Sequence, residues 1–353
     1  MPPGAVYTTQ RTAGAYRQAM QNGAVRLLAV AALLLLAAPA AAQPPPAPAP
    51  GPVTFAFGGD VIFESPIDSY APGEVLAPMR RILSRADVAM VNLETPVSER
   101  GTPIGGKQYV FRAPLWAFDA LRRGGVDVVT VANNHGMDYG PVAMRDTLRN
   151  AAKAGMPVVG GGLDEAQAFT PWRTFVNGQW VAVLGATQVI DEELLGVWEA
   201  RGNRVGVASA KYDMEDRLVR AVRQARRAND TVVVYLHWGE ELKQCPLDRQ
   251  VALARRLTGA GADIVVGSHA HVLLGGGLLG RAFVDYGLGN FVFYQDGGVV
   301  SQTGVVEVTA TGRHIDRYRF IPAQISGALP RPIASPERVD AWNALRACTG
   351  LRR

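Results

Sequence analysis

Cysteine, histidine and long apolar runs are all scarce in this 353-residue chain. Two cysteines, Cys245 and Cys348, lie far apart, and no second Cys or His stands at ligand spacing near either, which argues against a thiolate metal site. They could form one disulfide in an oxidising compartment or both be free thiols, and spacing alone does not decide. The G-x-S-x-G elbow of a serine hydrolase is also missing, since Ser268 stands beside His269 in a bare "GSH". A strong charge bias is lacking too. Residues 1–42 carry three arginines and no acid, so the formal charge of +5 falls to +2 for the remainder. A nucleic-acid-binding face is therefore not indicated. No internal repeat is visible.

The single long apolar run, "VRLLAVAALLLLAAPAAAQ" (25–43), follows Arg26 with about 16 apolar residues and ends in three alanines. A membrane span wants about 20 such residues. The run reads instead as a secretory signal over residues 1–42, cleaved after Ala42, with Met20 as an alternative start. An uncleaved membrane anchor is the competing reading. No cysteine follows the run, which argues against a lipid-anchored end. Residues 43–52, rich in proline, read as an extended spacer. The folded body is expected over 53–325, with a C-terminal helix or tail over 326–353 capped by Ser335.

Within the body, short β-branched runs alternate with helical patterns. Strands are expected at 53–57, 88–91, 126–132, 180–186, 231–236 and 262–267, and their continuous apolar character suits strands covered on both faces. Helices are expected at about 74–84, 114–123, 141–154, 212–228 and 247–260, with Pro141 in a first turn and Gly155 and Gly261 at helix ends. "RAFVDYGLGNFVFY" and "TGVVEVTATG" read as shorter, antiparallel strands. The fold class is α/β, and in such sheets ligands gather at the carboxyl ends of strands.

Polar clusters fall at those ends. "VTFAFGGD" delivers Asp60, "VAMVNLE" delivers Asn92 and Glu94, and "VTVANNH" delivers Asn133, Asn134 and His135. "VVVYLHWGEE" delivers His237 with Glu240 and Glu241, and "DIVVGSHAH" delivers His269 and His271. Of five histidines only His314 lies elsewhere. Any one of these residues could be a turn former or a satisfied core group. Five strand ends carrying such side chains together point to a metal site, because idle buried polar groups cost about 1–3 kcal/mol each. Imidazole with carboxylate and amide oxygen suits Mn, Fe or Zn rather than Ca. Trp116, Trp172 and Trp198 read as core residues more than as the lining of a polymer groove.

The order "GGDVIF", "VNLETPV", "FRAP", "ANNHGMDYG", "HWGEE", "GSHAHVL", "YGLGNFVF", spread over 53–308, resembles the bacterial capsule-synthesis proteins of the CapA type. These are associated with poly-γ-glutamate capsule assembly and related to calcineurin-like metallophosphoesterases. The resemblance implies a metallophosphoesterase-like layered β-sandwich flanked by helices, with one or two divalent ions, Mn, Fe or Zn. It implies Asp60 as ligand of one ion, Glu94 as bridge, Asn134, His237 and His269 as ligands of the other, and His271 returning to the first. His135, oriented by Asp138, becomes the group that assists a leaving group. Asn92, Asn133, Glu241 and Asn290 stand as candidate substrate contacts.

Four positions depart from the family pattern. Ile62 replaces the histidine two residues after the metallophosphoesterase aspartate, leaving the first ion with Asp60, Glu94 and His271. Ala270 stands where proline is common, Leu274 where glutamine is, and Gly287 where serine is, changes expected to bear on substrate contacts. The implied role is an exported protein of capsule or extracellular-polymer synthesis. Alternatives are a periplasmic metal-dependent phosphoesterase or other hydrolase unrelated to capsule, and a non-catalytic assembly module with one metal. The expected partners are an extracellular anionic polymer or phosphorylated substrate, with membrane-bound polymer-synthesis proteins beside it.

Overall fold

The computed structural model describes residues 49–353, so the apolar run and the signal sequence read from it lie outside the described residues. Of the proline-rich stretch, the last residues are held by the body: Gly51 N–H donates to Asn177 O (2.7 Å) and Asn177 Nδ2 donates to Pro52 O (2.8 Å).

Two twisted sheets stack face to face. The larger contains β1 (Val53–Val61), β2 (Val88–Leu93), β3 (Val128–Thr130) and β4 (Val158–Val159), which run parallel. On its other side β14 (Gln302–Thr311), β15 (His314–Ser326) and β16 (Leu329–Pro332) continue the sheet antiparallel, in the order β16-β15-β14-β1-β2-β3-β4. The smaller sheet runs β11 (Gly276–Leu279), β12 (Ala282–Asp285), β10 (Ile264–Ser268), β9 (Thr231–His237), β7 (Gln179–Thr187) and β6 (Trp172–Val176). A two-stranded ribbon joins β5 (Gly161–Gly162) to β8 (Gly206–Val207).

Alternation along each strand builds the layers, because successive side chains point to opposite faces. From β1, Phe55 and Phe57 face inward to meet Val181, Val183, Val233 and Tyr235 of the smaller sheet. Ala56 and Val61 face outward toward Leu83, Phe118, Leu121 and Met144. Those residues come from or flank α1 (Arg80–Leu83), α2 (Ala117–Arg123) and α3 (Gly140–Ala154). On the far side Val232, Val234 and Leu236 meet Leu218 and Val222 of α6 (Asp213–Arg226) and Leu253 and Leu257 of α7 (Asp248–Ala260). The order helix–sheet–sheet–helix is that of an α/β sandwich. Short α4 (Glu165–Ala168) and α5 (Leu195–Trp198) lie in the connections, and α8 (Pro336–Ala344) stacks Trp342 on Phe320 with ring centroids 5.2 Å apart.

The helix punctuation read from the sequence is present: Pro141 lies in the first turn of α3, and Gly155 (φ 65) and Gly261 (φ 117) end α3 and α7 in the left-handed region. Ser335 Oγ accepts from Arg338 N–H (3.3 Å) at the start of α8. Two expectations need correction. The helix expected at 74–84 is confined to Arg80–Leu83 after a run of turns, because Pro78 disfavours helical geometry at the residue before it. The strands of "RAFVDYGLGNFVFY" are not simply antiparallel: β12 pairs antiparallel with β11 but parallel with β10, and β13 (Asn290–Val292) pairs parallel with β1.

That second difference positions the site. Between β12 and β13 the chain crosses from the smaller sheet to the larger, held by Leu288 N–H to Gly267 O (2.8 Å) and Asp60 N–H to Gly289 O (3.0 Å). A Cβ on Gly59 would lie 1.8 Å from Gly289 O, so only glycine permits this approach immediately before Asp60. The carboxyl ends of β1, β2, β9 and β10 are thereby brought to one place.

Candidate metal centre

Asp60 sits near the end of β1, fully buried, with both oxygens occupied. Oδ1 accepts from Asn92 Nδ2 (2.8 Å) and Oδ2 from the backbone N–H of His269 (3.1 Å). Asn92, at the end of β2, also accepts at Oδ1 from Asn133 Nδ2 (2.9 Å), and Asn133 Oδ1 accepts from His135 N–H (3.0 Å). Asn92 and Asn133 are therefore buried struts between strand ends. Their amides are spent on the protein, not turned to solvent as substrate contacts would be. Asn290 is similar: its Oδ1 pairs with His271 Nδ1 (2.7 Å) and its Nδ2 donates to Val300 O (3.1 Å).

Glu94 stands apart from this network. It is 1% exposed, yet neither carboxylate oxygen has a hydrogen-bond partner. Unmatched burial with Asp60 nearby pushes its carboxyl up to about 8. One oxygen lies 3.2 Å from His237 Nε2, which also contacts Asn134 Oδ1 (2.7 Å). The other ring nitrogen of His237 faces Ser268 Oγ and Asn92 Nδ2, each at 3.2 Å. Burial lowers His237 to about 4 and holds His269 well below the usual imidazole range, so both rings are neutral near pH 7. Nδ1 of His269 is buried and unpartnered.

Ligand-type atoms of Glu94, His237 and His269 lie within 4.8 Å of one another, as do those of Asp60, Glu94 and His271. Glu94 belongs to both sets. A donor set of imidazoles, carboxylates and an amide oxygen, with an orphaned carboxylate at its middle, could hold a divalent cation. Outer contacts from Ser268 and Asn92 to His237, and from Asn290 to His271, fix which face those two rings turn to the site.

His135 lies at the rim with Nδ1 2.6 Å from Asp138 Oδ2, the arrangement that leaves Nε2 free. Asp138 is fully buried and accepts as well from Phe111 N–H (2.8 Å) and Lys107 Nζ (2.5 Å). Lys107 also contacts His135 Nδ1 (3.2 Å) and the Asn134 carbonyl, with the Trp198 ring 4.8 Å beneath its ammonium. Lys107 and Phe111, whose ring lies 4.2 Å from that of His135, are members of the site that sequence reasoning did not single out. They arrive on the stretch "GGKQYVF": Lys107 lies in no motif, and Phe111 opens "FRAP", a motif that by itself gave the residue no role.

The departures from the family pattern resolve differently from expectation. Ile62 is fully buried in the apolar layer between the larger sheet and its helices. Ala270, Leu274 and the backbone of Gly287 belong to the opposite core, and a Cβ on Gly287 would meet Leu274 Cδ1 at 2.5 Å. Leu274 and Gly287 are thus a packing pair, not substrate contacts. Of the tryptophans, Trp198 is buried, while Trp116 and Trp172 pack half-buried against the cores.

Cys245 and Cys348 form a disulfide, with Cα atoms 5.7 Å apart across 103 residues of sequence. It ties the loop after β9 to the C-terminal segment.

The molecule is thus an α/β sandwich with a cation-ready cluster of His and carboxylate groups at its strand ends. Residues 54–295 match the family described as bacterial capsule synthesis protein PGA_cap, and the chain belongs to that family. It is 30% identical over 285 residues to the PGA biosynthesis protein CapA of Bacillus subtilis (strain 168), covering 79% of this chain and 73% of that one. With the capsule biosynthesis protein CapA of Bacillus anthracis it shares 28% identity over 291 residues, covering 80% and 70% respectively. A hypothetical protein from Thermus thermophilus superposes with a TM-score of 0.50 at 18% identity, covering 77% of this chain and 99% of that one, which shows a common fold alone.

Proposed function

We propose that this is an extracytoplasmic protein of capsule-type polymer synthesis, acting on an anionic polymer of the poly-γ-glutamate class through a divalent-metal site. The observation that carries the reading is Glu94, a buried carboxylate with two unpartnered oxygens among His237, His269, His271 and Asp60. Such a group costs stability unless a cation completes it. Asn134, His237, His269 and Glu94 would hold one ion, and Asp60, Glu94 and His271 a second. A bound ion would supply Lewis acidity toward a carbonyl or phosphoryl oxygen.

The remaining roles belong to side chains. Asp138 holds Nδ1 of His135, leaving Nε2 to give or take a proton at a leaving group. Lys107 offsets the Asp138 charge beneath His135. Export is supported by the apolar leader and by the Cys245–Cys348 bridge, a bond that persists in oxidising compartments. Among the described residues no helix is long and apolar enough to cross a membrane. Deleting the gene should reduce surface polymer, with rescue by the wild-type chain but not by Glu94→Gln. Unchanged polymer after deletion would overturn the reading.

A second reading is a metallophosphoesterase-like hydrolase unrelated to capsule. The His135–Asp138 pair beside the cluster favours it, because a leaving-group acid has an evident use in phosphoester cleavage. Turnover of aryl phosphomonoesters and phosphodiesters that vanishes in both Glu94→Gln and His135→Ala would move the assignment to this class.

A further inference from the structure

The first ion of the proposed centre has only three protein ligands, because Ile62 lies in the apolar core and offers none. A fourth candidate comes from the opposite side. Ligand-type atoms of Glu241, His269 and His271 lie within 4.8 Å of one another. Glu241 is exposed and His269 is buried with Nδ1 unpartnered, so this set spans from the mouth of the site to its floor. The neighbouring Glu240 is committed elsewhere, 2.8 Å from Lys243 Nζ.

The backbone around Glu241 is built to hold it there. Leu242 N–H donates to Ala270 O (2.8 Å), the residue between the two histidines, and Arg249 Nη2 donates to Gly239 O (3.0 Å). Leu242 (φ 62), His269 (φ 98) and His271 (φ 57) all occupy left-handed backbone geometry that non-glycine residues rarely adopt. Such conformations persist only where surrounding contacts impose them. Three residues beyond Leu242, Cys245 fixes the loop to Cys348.

Resting on the reading of the cluster as a metal centre, we propose that Glu241 supplies a carboxylate ligand from the solvent side to the cation held by His271, replacing the ligand lost at Ile62. The Cys245–Cys348 disulfide keeps the loop that carries it in place, and metal retention depends on the oxidised bridge.

The test is Mn²⁺ binding to the full chain purified after export, followed by electron paramagnetic resonance and titration calorimetry. Glu241→Gln should weaken one Mn²⁺ equivalent by roughly 10- to 100-fold, the range that loss of groups supporting a metal site produces. Glu240→Gln should bind as wild type. Cys245→Ser/Cys348→Ser should weaken the same equivalent in the same direction. Wild-type affinity in Glu241→Gln, with Mn²⁺ bound, would overturn the ligand assignment while leaving the metal centre intact. Wild-type affinity in the cysteine double variant would overturn the tether. No Mn²⁺ bound by the wild-type chain would overturn the inference and the metal reading together.

Discussion

Lys107 Nζ lies 2.5 Å from Asp138 Oδ1, while the other oxygen of the same carboxylate lies 2.6 Å from His135 Nδ1. The side chains of Lys107 and Asp138 are 9% and 0% exposed, so this is a buried ion pair that shares its acid with an imidazole. Removing the cation leaves Asp138 charged and under-compensated. Lys107→Met should therefore cost about 3–5 kcal/mol of stability, the range seen when one partner of a buried pair is deleted. Denaturant unfolding checks this, and a loss below about 1 kcal/mol, ordinary for a surface pair, would contradict it.

Glu94 should set the pH dependence of the proposed metal binding. Burial raises its carboxyl to about 8, so in the metal-free protein the group carries a proton at neutral pH that a cation must displace. Apparent Mn²⁺ affinity should rise by up to roughly tenfold per pH unit between pH 6 and 8 and level off above, with about one proton released. His237, lowered to about 4, is already neutral across that window and contributes no slope. Titrations at several pH values in buffers of different ionisation heat measure both quantities. In Glu94→Gln the slope should disappear.

Asp285 is a second buried carboxyl, pushed up to about 7 chiefly by burial, with Oδ1 accepting from Gly287 N–H (2.9 Å) and Oδ2 unpartnered. Its folded value lies above its unfolded value, so its stabilising effect is complete below about 4 and is lost as pH rises through about 7. The thermal midpoint should fall between pH 5 and 7.5, and fall less in Asp285→Asn, which keeps an acceptor for Gly287. Equal slopes in the two proteins would show that other groups govern this range.

Leu274 and Gly287 should be coupled. Gly287→Ser places an atom 2.5 Å from Leu274 Cδ1 and should cost about 1–3 kcal/mol by overpacking. Leu274→Gln should also destabilise, by burying an amide in apolar surroundings. The two positions share one contact, and the double variant should be more stable than the sum of the singles by roughly 1 kcal/mol or more. Strict additivity would mean the contact is not what links the two positions.

Much of this architecture is legible in the amino-acid sequence. β-branched runs mark the central strands because strands covered on both faces need no polar alternation. Asp60, Glu94, Asn134, His237, His269 and His271 stand out by following those runs closely, and the structure brings them together. What stays hidden depends on three-dimensional neighbours. Lys107 lies in a loop with no periodicity, and its importance comes from the buried Asp138 that it meets 31 residues later in the chain. The parallel pairings of β12 with β10 and of β13 with β1 depend on a crossing between sheets, which local pattern cannot express. Asn92 and Asn133 stand out for the right reason, polarity at a strand end, but a polar side chain there can brace a site as readily as it can touch a substrate.

The most direct test of a two-ion centre bridged by Glu94 is metal stoichiometry on the purified protein reconstituted with Mn²⁺, alongside His237→Ala and Asp60→Ala. Two equivalents in the wild type, with each substitution removing one, is the expected result. No tightly bound metal in the wild type would contradict it, leaving the orphaned carboxylate of Glu94 without a cation to complete it.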